Sequence, residues 1–186
     1  ARRFATVLDE LVAELPALRR PDGLVSGKIG QRMVAATAPF RPRFITPMAA
    51  VAGAVAEEVL AALAGPGIAR AYANNGGDIA LHLAPGQSLT CALAGAGGID
   101  RVTLRAQDPG RGIATSGWRG RSFSLGIADA VTVIARTAAM ADAAATMIAN
   151  AVDLPDHPAI SRRAADQIQA DSDLGGRPVT TGVPPL

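Results

Sequence analysis

GIATSGWRGRSFSLGIADAVTVIARTAAMADAAATMIAN, residues 112–150 of a 186-residue chain, is the stretch on which the fold turns. It divides into a Gly/Ser/Thr-rich loop, a short apolar strand over 130–135 and an Ala-rich helix over 137–151. The apolar face of that helix carries one carboxylate and one hydroxyl, Asp142 and Thr146. Residues four apart lie one turn apart on the same helix face, so the two side chains point the same way.

Asp is a mediocre helix former, and an ionised group among alanines is costly to desolvate unless it is paired or bound to a metal. A hard cation meets that need. Mg²⁺ takes oxygen ligands and keeps waters or ligand phosphates in its shell, so one carboxylate, one hydroxyl and a few carbonyls suffice. The plainer alternative pairs Asp142 with an arginine and turns the Thr146 hydroxyl back onto its own helix.

Outward from this stretch, composition bounds the rest. The length suits one domain with a substantial core. Nearly half the residues are apolar, yet aromatics are few, so the core is built of small residues. A net charge of +2 comes from scattered arginines and a single lysine, Lys28, with no basic run. Without a clustered basic face or stacking aromatics, nucleic acid is not the expected partner. Cys91 is the one cysteine, which excludes an internal disulfide and a cysteine-built metal site, and it reads as a small core residue. The longest uncharged apolar stretch, over 45–56, falls short of the roughly 18 residues of a membrane span. With no signal peptide in view, a cytoplasmic location is expected. The chain lacks an initiating Met and enters helix periodicity at Arg2, which leads us to expect one domain over 1–186 that lacks an upstream segment.

Along the chain, Phe4, Val7, Leu8, Leu11, Val12 and Leu15 predict an amphipathic helix ended by Pro16. A second short helix is predicted over 28–38. Lys28, Arg32, Arg41 and Arg43 near it either clamp phosphates or form a solvated surface. In ITPMAAVAGAVAEEVLAAL (45–63), Thr46 and Pro47 suit a helix start, and the small residues around Gly53 let a backbone or a flat ligand approach. Two apolar segments, 68–73 and 78–83, flank Asn74-Asn75-Gly76-Gly77, a hairpin signal. Asp78 follows the glycines and either bonds a ligand or caps the turn; His82 shares its face and reads as surface or satisfied core. Strands are predicted over 88–94 and 101–106, separated by a Gly-rich turn. A further strand end, 112–114, leads into Thr115-Ser116-Gly117, whose amides and hydroxyls suit phosphate oxygens. A short helix over 161–168, an acidic stretch at 171–175 that reads as a turn or, as the alternative, a ligand or metal contact, and a last strand over 178–183 complete the chain. No nucleophile elbow, P-loop or GxGxxG is present. Consecutive hairpins with helices on one side imply an α+β fold, an antiparallel sheet with one helix-covered face.

Taken together, ITPMAAVAGAVAEEVLAAL, NNGGDIAL, GIATSGWRGRSFSLGIADAVTVIA, ADAAATMIANAVDLPDHPAI and DSDLG resemble an uncharacterised ApbE-like family, relatives of the Mg²⁺-dependent FAD:protein FMN transferases. The resemblance implies a T-fold-like domain that binds FAD or FMN with Mg²⁺. In the transferases, the equivalents of Gly76, Gly77, Asp78, Thr115, Ser116 and Gly117 line the flavin site, the segment around Gly53 flanks the flavin, and the equivalents of Asp142 and Thr146 ligate the metal.

The departures are also specific. The transferases have an Asp opening the helix and a Lys before its Gly, where this chain has Thr46 and Ala52. Their long segment with His, Asp-Pro and Thr-Gly is replaced by the short 120–126, which holds no His. These losses remove groups expected to handle the isoalloxazine and the transfer. Three functions stay open: an enzyme that cleaves the FAD pyrophosphate or transfers FMN to an unidentified acceptor protein, a non-catalytic flavin- or nucleotide-binding protein, possible as a homo-oligomer, and a metabolic enzyme with an unrelated substrate.

Overall fold

The computed structural model describes residues 2–95 and 98–184. The chain begins with two helices, α1 (Arg2–Leu18) and α2 (Lys28–Thr37), then short 3-10 turns at Ala38–Phe40 and Pro47–Ala50 and the helix α3 (Val51–Leu63). Five strands follow: β1 (Arg70–Asn75), β2 (Asp78–Leu83), β3 (Ser88–Gly95), β4 (Gly98–Arg105) and β5 (Gly112–Ser116). After β6 (Val131–Ala135) come α4 (Ala138–Ala151), β7 (Ser161–Ala164), the single turn α5 (Ala165–Ile168) and β8 (Pro178–Gly182).

Every strand pair is antiparallel, and the main sheet has the order β1-β2-β5-β6. Gly76 and Gly77, with φ of 70° and 114°, make the two-residue turn that brings Asn75 opposite Asp78. Alternation along the strands then sorts side chains between two faces. Ala80 meets Ala56 and Leu60 of α3, while Leu81, Leu83 and Ile113 pack with Cys91 and Leu104 of the β3–β4 hairpin on the opposite face. On β5, Ala114 packs against Ala141 and Ala145 of α4. The helix-facing positions therefore include Asp78 on β2 and Ser116 on β5, two residues along from Ala80 and Ala114.

Small residues let α3 and α4 come together and onto the sheet. A Cβ at Gly53 would stand 2.3 Å from the Ala138 carbonyl oxygen, and one at Gly112 would stand 2.2 Å from the Ala138 nitrogen. The N-terminus of α4 is thus clasped between α3 and β5. Its unpaired N–H groups are met on the spot: Thr137 Oγ1 accepts from Met140 N–H at 3.2 Å, and Glu57 Oε1 accepts from Ala139 N–H at 2.7 Å. Beside it, Glu58 takes Arg3 Nε at 2.7 Å and also pairs with Arg32, tying α1 and α2 to α3. Glu14 accepts the N–H groups of Ser26 and Gly27 at 2.6 and 2.9 Å, which fixes the α1–α2 connection.

The α+β class and its antiparallel strands stand, with corrections in detail. Among the described residues the strands form three sheets, because β3–β4 and β7–β8 pair only with each other, and the main sheet carries helices on one face and a hairpin on the other. Pro16 does not end α1, which runs on to Leu18, without the helical hydrogen bond that an N–H at this position would donate. Thr46 does not cap a helix, since its hydroxyl is taken by Asp173 and a 3-10 turn precedes α3. The segment 161–168 is half strand, because β8 lies alongside β7. Ala1 of the expected first helix and the Gly-rich turn at 96–97 lie outside the described residues. Among the described residues no helix is long and apolar enough to cross a membrane.

If the Gly53–Ala138 approach sets the helix spacing, Gly53→Ala destabilises the chain by about 3 kcal/mol or more. Gly65→Ala, where a Cβ meets open space, changes stability by no more than about 0.5 kcal/mol. Urea unfolding of the two variants checks the contrast.

Candidate functional site

Where α4, the start of α3, the β1–β2 turn and the end of β5 converge, the packing leaves a cavity of about 540 Å³. Asp142 and Thr146 of α4, Asp78 and Gly76 of the hairpin, and Ser116 and Gly117 all border it. Asp142 and Thr146 thus share one face, as their spacing requires, and that face is the cavity wall. Neither plain alternative holds for them: among the described residues Asp142 has no arginine partner and Thr146 makes no hydrogen bond back to its helix. Asp142 Oδ2 instead accepts the Gly53 N–H at 3.0 Å.

Three of the expected site residues take other places. Gly53 does not border the cavity; it is buried against Ala138 and Ala139, and its contribution is the N–H that orients Asp142. Gly77 also lies off the wall, its N–H held by Asn74 Oδ1 at 2.8 Å. Thr115 borders the cavity through its main chain only. Its hydroxyl lies on the opposite sheet face, 2.8 Å from the Thr132 hydroxyl across the β5–β6 pair, because odd and even strand positions face opposite ways. His82 lies off the wall too, its Nε2 bonded to Ile68 O at 3.0 Å. Arg32 is spent on Glu58, and the phosphate-clamp alternative for Lys28, Arg32, Arg41 and Arg43 finds none of the four on the cavity wall.

The far rim comes from segments distant in the chain. The acidic loop 171–175, expected to be a turn, delivers Asp171, Ser172 and Asp173 to the cavity. Asp173 accepts the buried Thr46 hydroxyl, and Asp171 pairs with Arg19 at 2.7 Å. Another side is the loop after β5, with Arg121 and Phe123 on the wall. It is pinned by Asp129, which takes Trp118 Nε1 and Arg119 Nε at 2.8 Å each, and by Asn150, whose Oδ1 accepts the Leu125 N–H at 2.9 Å. In the sequence these rim residues are marked by the resemblance, through DSDLG, ITPMAAVAGAVAEEVLAAL, GIATSGWRGRSFSLGIADAVTVIA and ADAAATMIANAVDLPDHPAI, and not by local chemistry except in the acidic stretch 171–175.

The electrostatics single out one corner. Burial, and next the charge of Asp78, push the Asp142 carboxyl up to about 7, against relief from the Gly53 and Ala52 main chain. Burial pushes Asp78 up to about 6, opposed by the Thr115 main chain and the Arg121 guanidinium. Two carboxylates thus share a corner in which neither has an ion-pair partner among the described residues. With the Thr146 hydroxyl they form an all-oxygen donor set, the chemistry a hard divalent cation takes. No group of three or more His, Cys, Asp or Glu residues gathers as a metal cluster among the described residues. A cation there would complete its shell from hydroxyl, carbonyl, water or ligand oxygens, as Mg²⁺ does.

Raised carboxyl pKa values mean that the folded chain holds more protons than the unfolded chain between about pH 4 and pH 7, so stability falls as pH rises through that window. The carboxyls that are lowered, such as Glu14 and Glu58, contribute their change below it. In chelator, the wild-type melting temperature falls from pH 5 to pH 8. Asp142→Asn, which keeps an acceptor for the Gly53 N–H, flattens that slope and melts higher than wild type at pH 8. Thermal melts across the pH series test both statements.

A family model described as AbpE bacteria matches residues 1–186. Among curated proteins, the UPF0280 protein of Methanothermobacter thermautotrophicus is 42% identical over 116 residues, covering 60% of this chain and 44% of the relative. That of Methanothrix thermoacetophila is 41% identical over 128 residues, covering 67% and 52%, and that of Methanococcoides burtonii is 36% identical over 141 residues, covering 74% and 58%. The chain spans about half the length of the curated relatives it matches. With a family model matched along its whole length, the chain belongs to the AbpE bacteria family.

Proposed function

We propose that the cavity binds FAD or a related nucleotide together with Mg²⁺ and cleaves the pyrophosphate or transfers FMN to an acceptor protein. The observation that carries this is the Asp142–Thr146 pair, one turn apart on α4 and facing the cavity beside Asp78 with no protein cation to neutralise it. Asp142 and Thr146 would hold the ion, and the Gly53 N–H keeps the carboxylate aimed. When bound, Mg²⁺ supplies neutralisation of pyrophosphate charge and polarisation of its oxygens. The chain's own contribution is positioning, which is most of what phosphoryl chemistry asks of a protein. Ser116 and Gly117 border the space on the β5 side, and the rim of Thr46 with Asp173 borders it on the other. On this reading the main sheet with α3 and α4 on one face is the T-fold-like arrangement of the ApbE-like proteins.

A second reading, a flavin- or nucleotide-binding protein without turnover, is favoured by one specific observation. Thr46, standing where the transferases have an acid, is buried and occupied by Asp173, and Ala52 replaces their lysine. The protein would then serve as a monomer or as a homo-oligomer that holds its ligand.

Incubation with FAD and Mg²⁺, followed by mass spectrometry for FMN and AMP, separates the two. Turnover falls by about a hundredfold or more in Asp142→Ala, and Thr146→Val raises the Mg²⁺ requirement by about tenfold. Tight FAD binding without products selects the binding protein. Absence of both products and binding rejects the nucleotide assignment.

A further inference from the structure

We propose that the segment from Gly120 to Ser124 is an anion-binding arm, in which the Arg121 guanidinium, the Ser122 hydroxyl and successive main-chain N–H groups take the phosphate oxygens of the ligand. This rests on the nucleotide reading of the cavity and adds to it the part of the ligand the loop recognises.

Three independent observations point there. First, the arginines on the cavity wall are unequally committed. Arg19 is held by Asp171 at 2.7 Å, whereas Arg121 makes no ion pair and no side-chain hydrogen bond among the described residues. A guanidinium carries five N–H donors in a fork that matches phosphate oxygens. Second, the main-chain N–H groups of Arg121, Ser122, Phe123 and Ser124 find no acceptor among the described residues, while those on either side do. Gly120 N–H reaches Gly117 O at 3.0 Å, Leu125 N–H reaches Asn150 Oδ1 at 2.9 Å, and Gly126 N–H reaches Ser124 Oγ at 3.2 Å. Arg121, Ser122 and Phe123 border the cavity, and a run of unpaired amides at a cavity edge is the backbone arrangement that receives anions. Third, Arg121 has a defined seat. Its Nη2 lies against Gly76, where a Cβ would stand 1.8 Å away, so the bare glycine at φ 70° is what admits it beside the turn leading to Asp78.

The charge balance gives the arm a task. Among the described residues Asp78, Asp142 and Asp173 border the cavity without an ion pair, and an anionic ligand entering that space is repelled unless positive charge receives it. A bound Mg²⁺ would answer for part of that charge, and Arg121, seated beside the Gly76 turn, is the wall's cation that is free of an ion pair among the described residues. This is also the segment in which the chain departs most from the flavin transferases. On this assignment the loop exchanged a histidine-bearing segment for a set of anion donors, and the phosphorylated class of ligand is kept.

The test compares ligands with and without phosphate. Affinities of the chain for FMN, riboflavin and inorganic pyrophosphate are measured by calorimetry in Mg²⁺, for wild type, Arg121→Ala, Arg121→Lys and Ser122→Ala. Loss of the charged donors weakens FMN and pyrophosphate by about tenfold or more and leaves riboflavin unchanged. Arg121→Lys restores only part, because a lysine lacks the fork. Arg121 is exposed, and melting curves of the variants verify that they fold. Equal weakening of FMN and riboflavin, or no weakening of either, overturns the arm while leaving the flavin reading in place. Pyrophosphate binding that depends on Arg121 in a chain that ignores flavins rejects the flavin reading and keeps the arm. A chain that binds neither FMN nor pyrophosphate overturns both.

Discussion

The contact between Gly53 and the first turn of α4 governs the geometry of everything built around it. Because no Cβ intervenes, the backbones of α3 and α4 meet, Glu57 comes within reach of the Ala139 N–H, and the Gly53 N–H comes within reach of Asp142. One close approach thus sets the helix spacing, satisfies the end of α4 and aims the carboxylate. Ala138, Ala141 and Ala145, all fully buried, serve the same purpose on the sheet side by keeping α4 flat against β5. A leucine-rich version of these helices would hold them further apart and leave Asp142 without its amide.

That precision serves a corner that is electrostatically unfavourable when nothing occupies it. Placing Asp142 and Asp78 together in a part-buried space raises both pKa values, and the fold tolerates this because the rest of the core is well satisfied. Paired acids elsewhere behave in the opposite way: Glu58 between Arg3 and Arg32, and Asp129 beneath Arg119, are held below the usual carboxylate range by their partners. The chain is not short of arginines with which to neutralise Asp142. Arginines pair with acids on the helices and the rim, and Arg121 eases only Asp78, so Asp142 has no arginine partner among the described residues; that uncompensated carboxyl is the physical content of the proposed Mg²⁺ site.

Local chemistry was legible in the sequence, and long-range pairing was not. Asn75-Gly76-Gly77-Asp78 announces its hairpin, Thr137 announces the start of α4, and the spacing of Asp142 and Thr146 places them on one face, as found. The face of Thr115 was also implicit in strand alternation, yet a Thr-Ser-Gly run reads as a loop until β6 is known to pair as far as Ser116. By contrast, nothing local tells β5 to pair with β2 across the intervening β3–β4 hairpin, or tells 161–164 to extend beside β8. The rim is less legible still, since Thr46 meets Asp173 across 127 positions and Arg19 meets Asp171 across 152. Such contacts exist only once the tertiary fold brings their segments together.

This division between local and distant parts matches a division of labour within the site. Asp142, Thr146 and Asp78 stand on a helix and a strand whose positions are locked by the core, which suits the proposed role of holding an ion to within a fraction of an ångström. The walls that would meet the rest of a ligand are loops, 117–130 and 171–175, each tied down at a few points by Asp129, Asn150 and Arg19. Loops on a rigid scaffold change shape and composition at little cost to the fold. A chain can therefore keep a rigid donor corner while the loops that border the rest of the cavity change. On the proposed reading, the geometry of α4 speaks to what kind of ion would be held, and the short segment 120–126 speaks to what would be held with it.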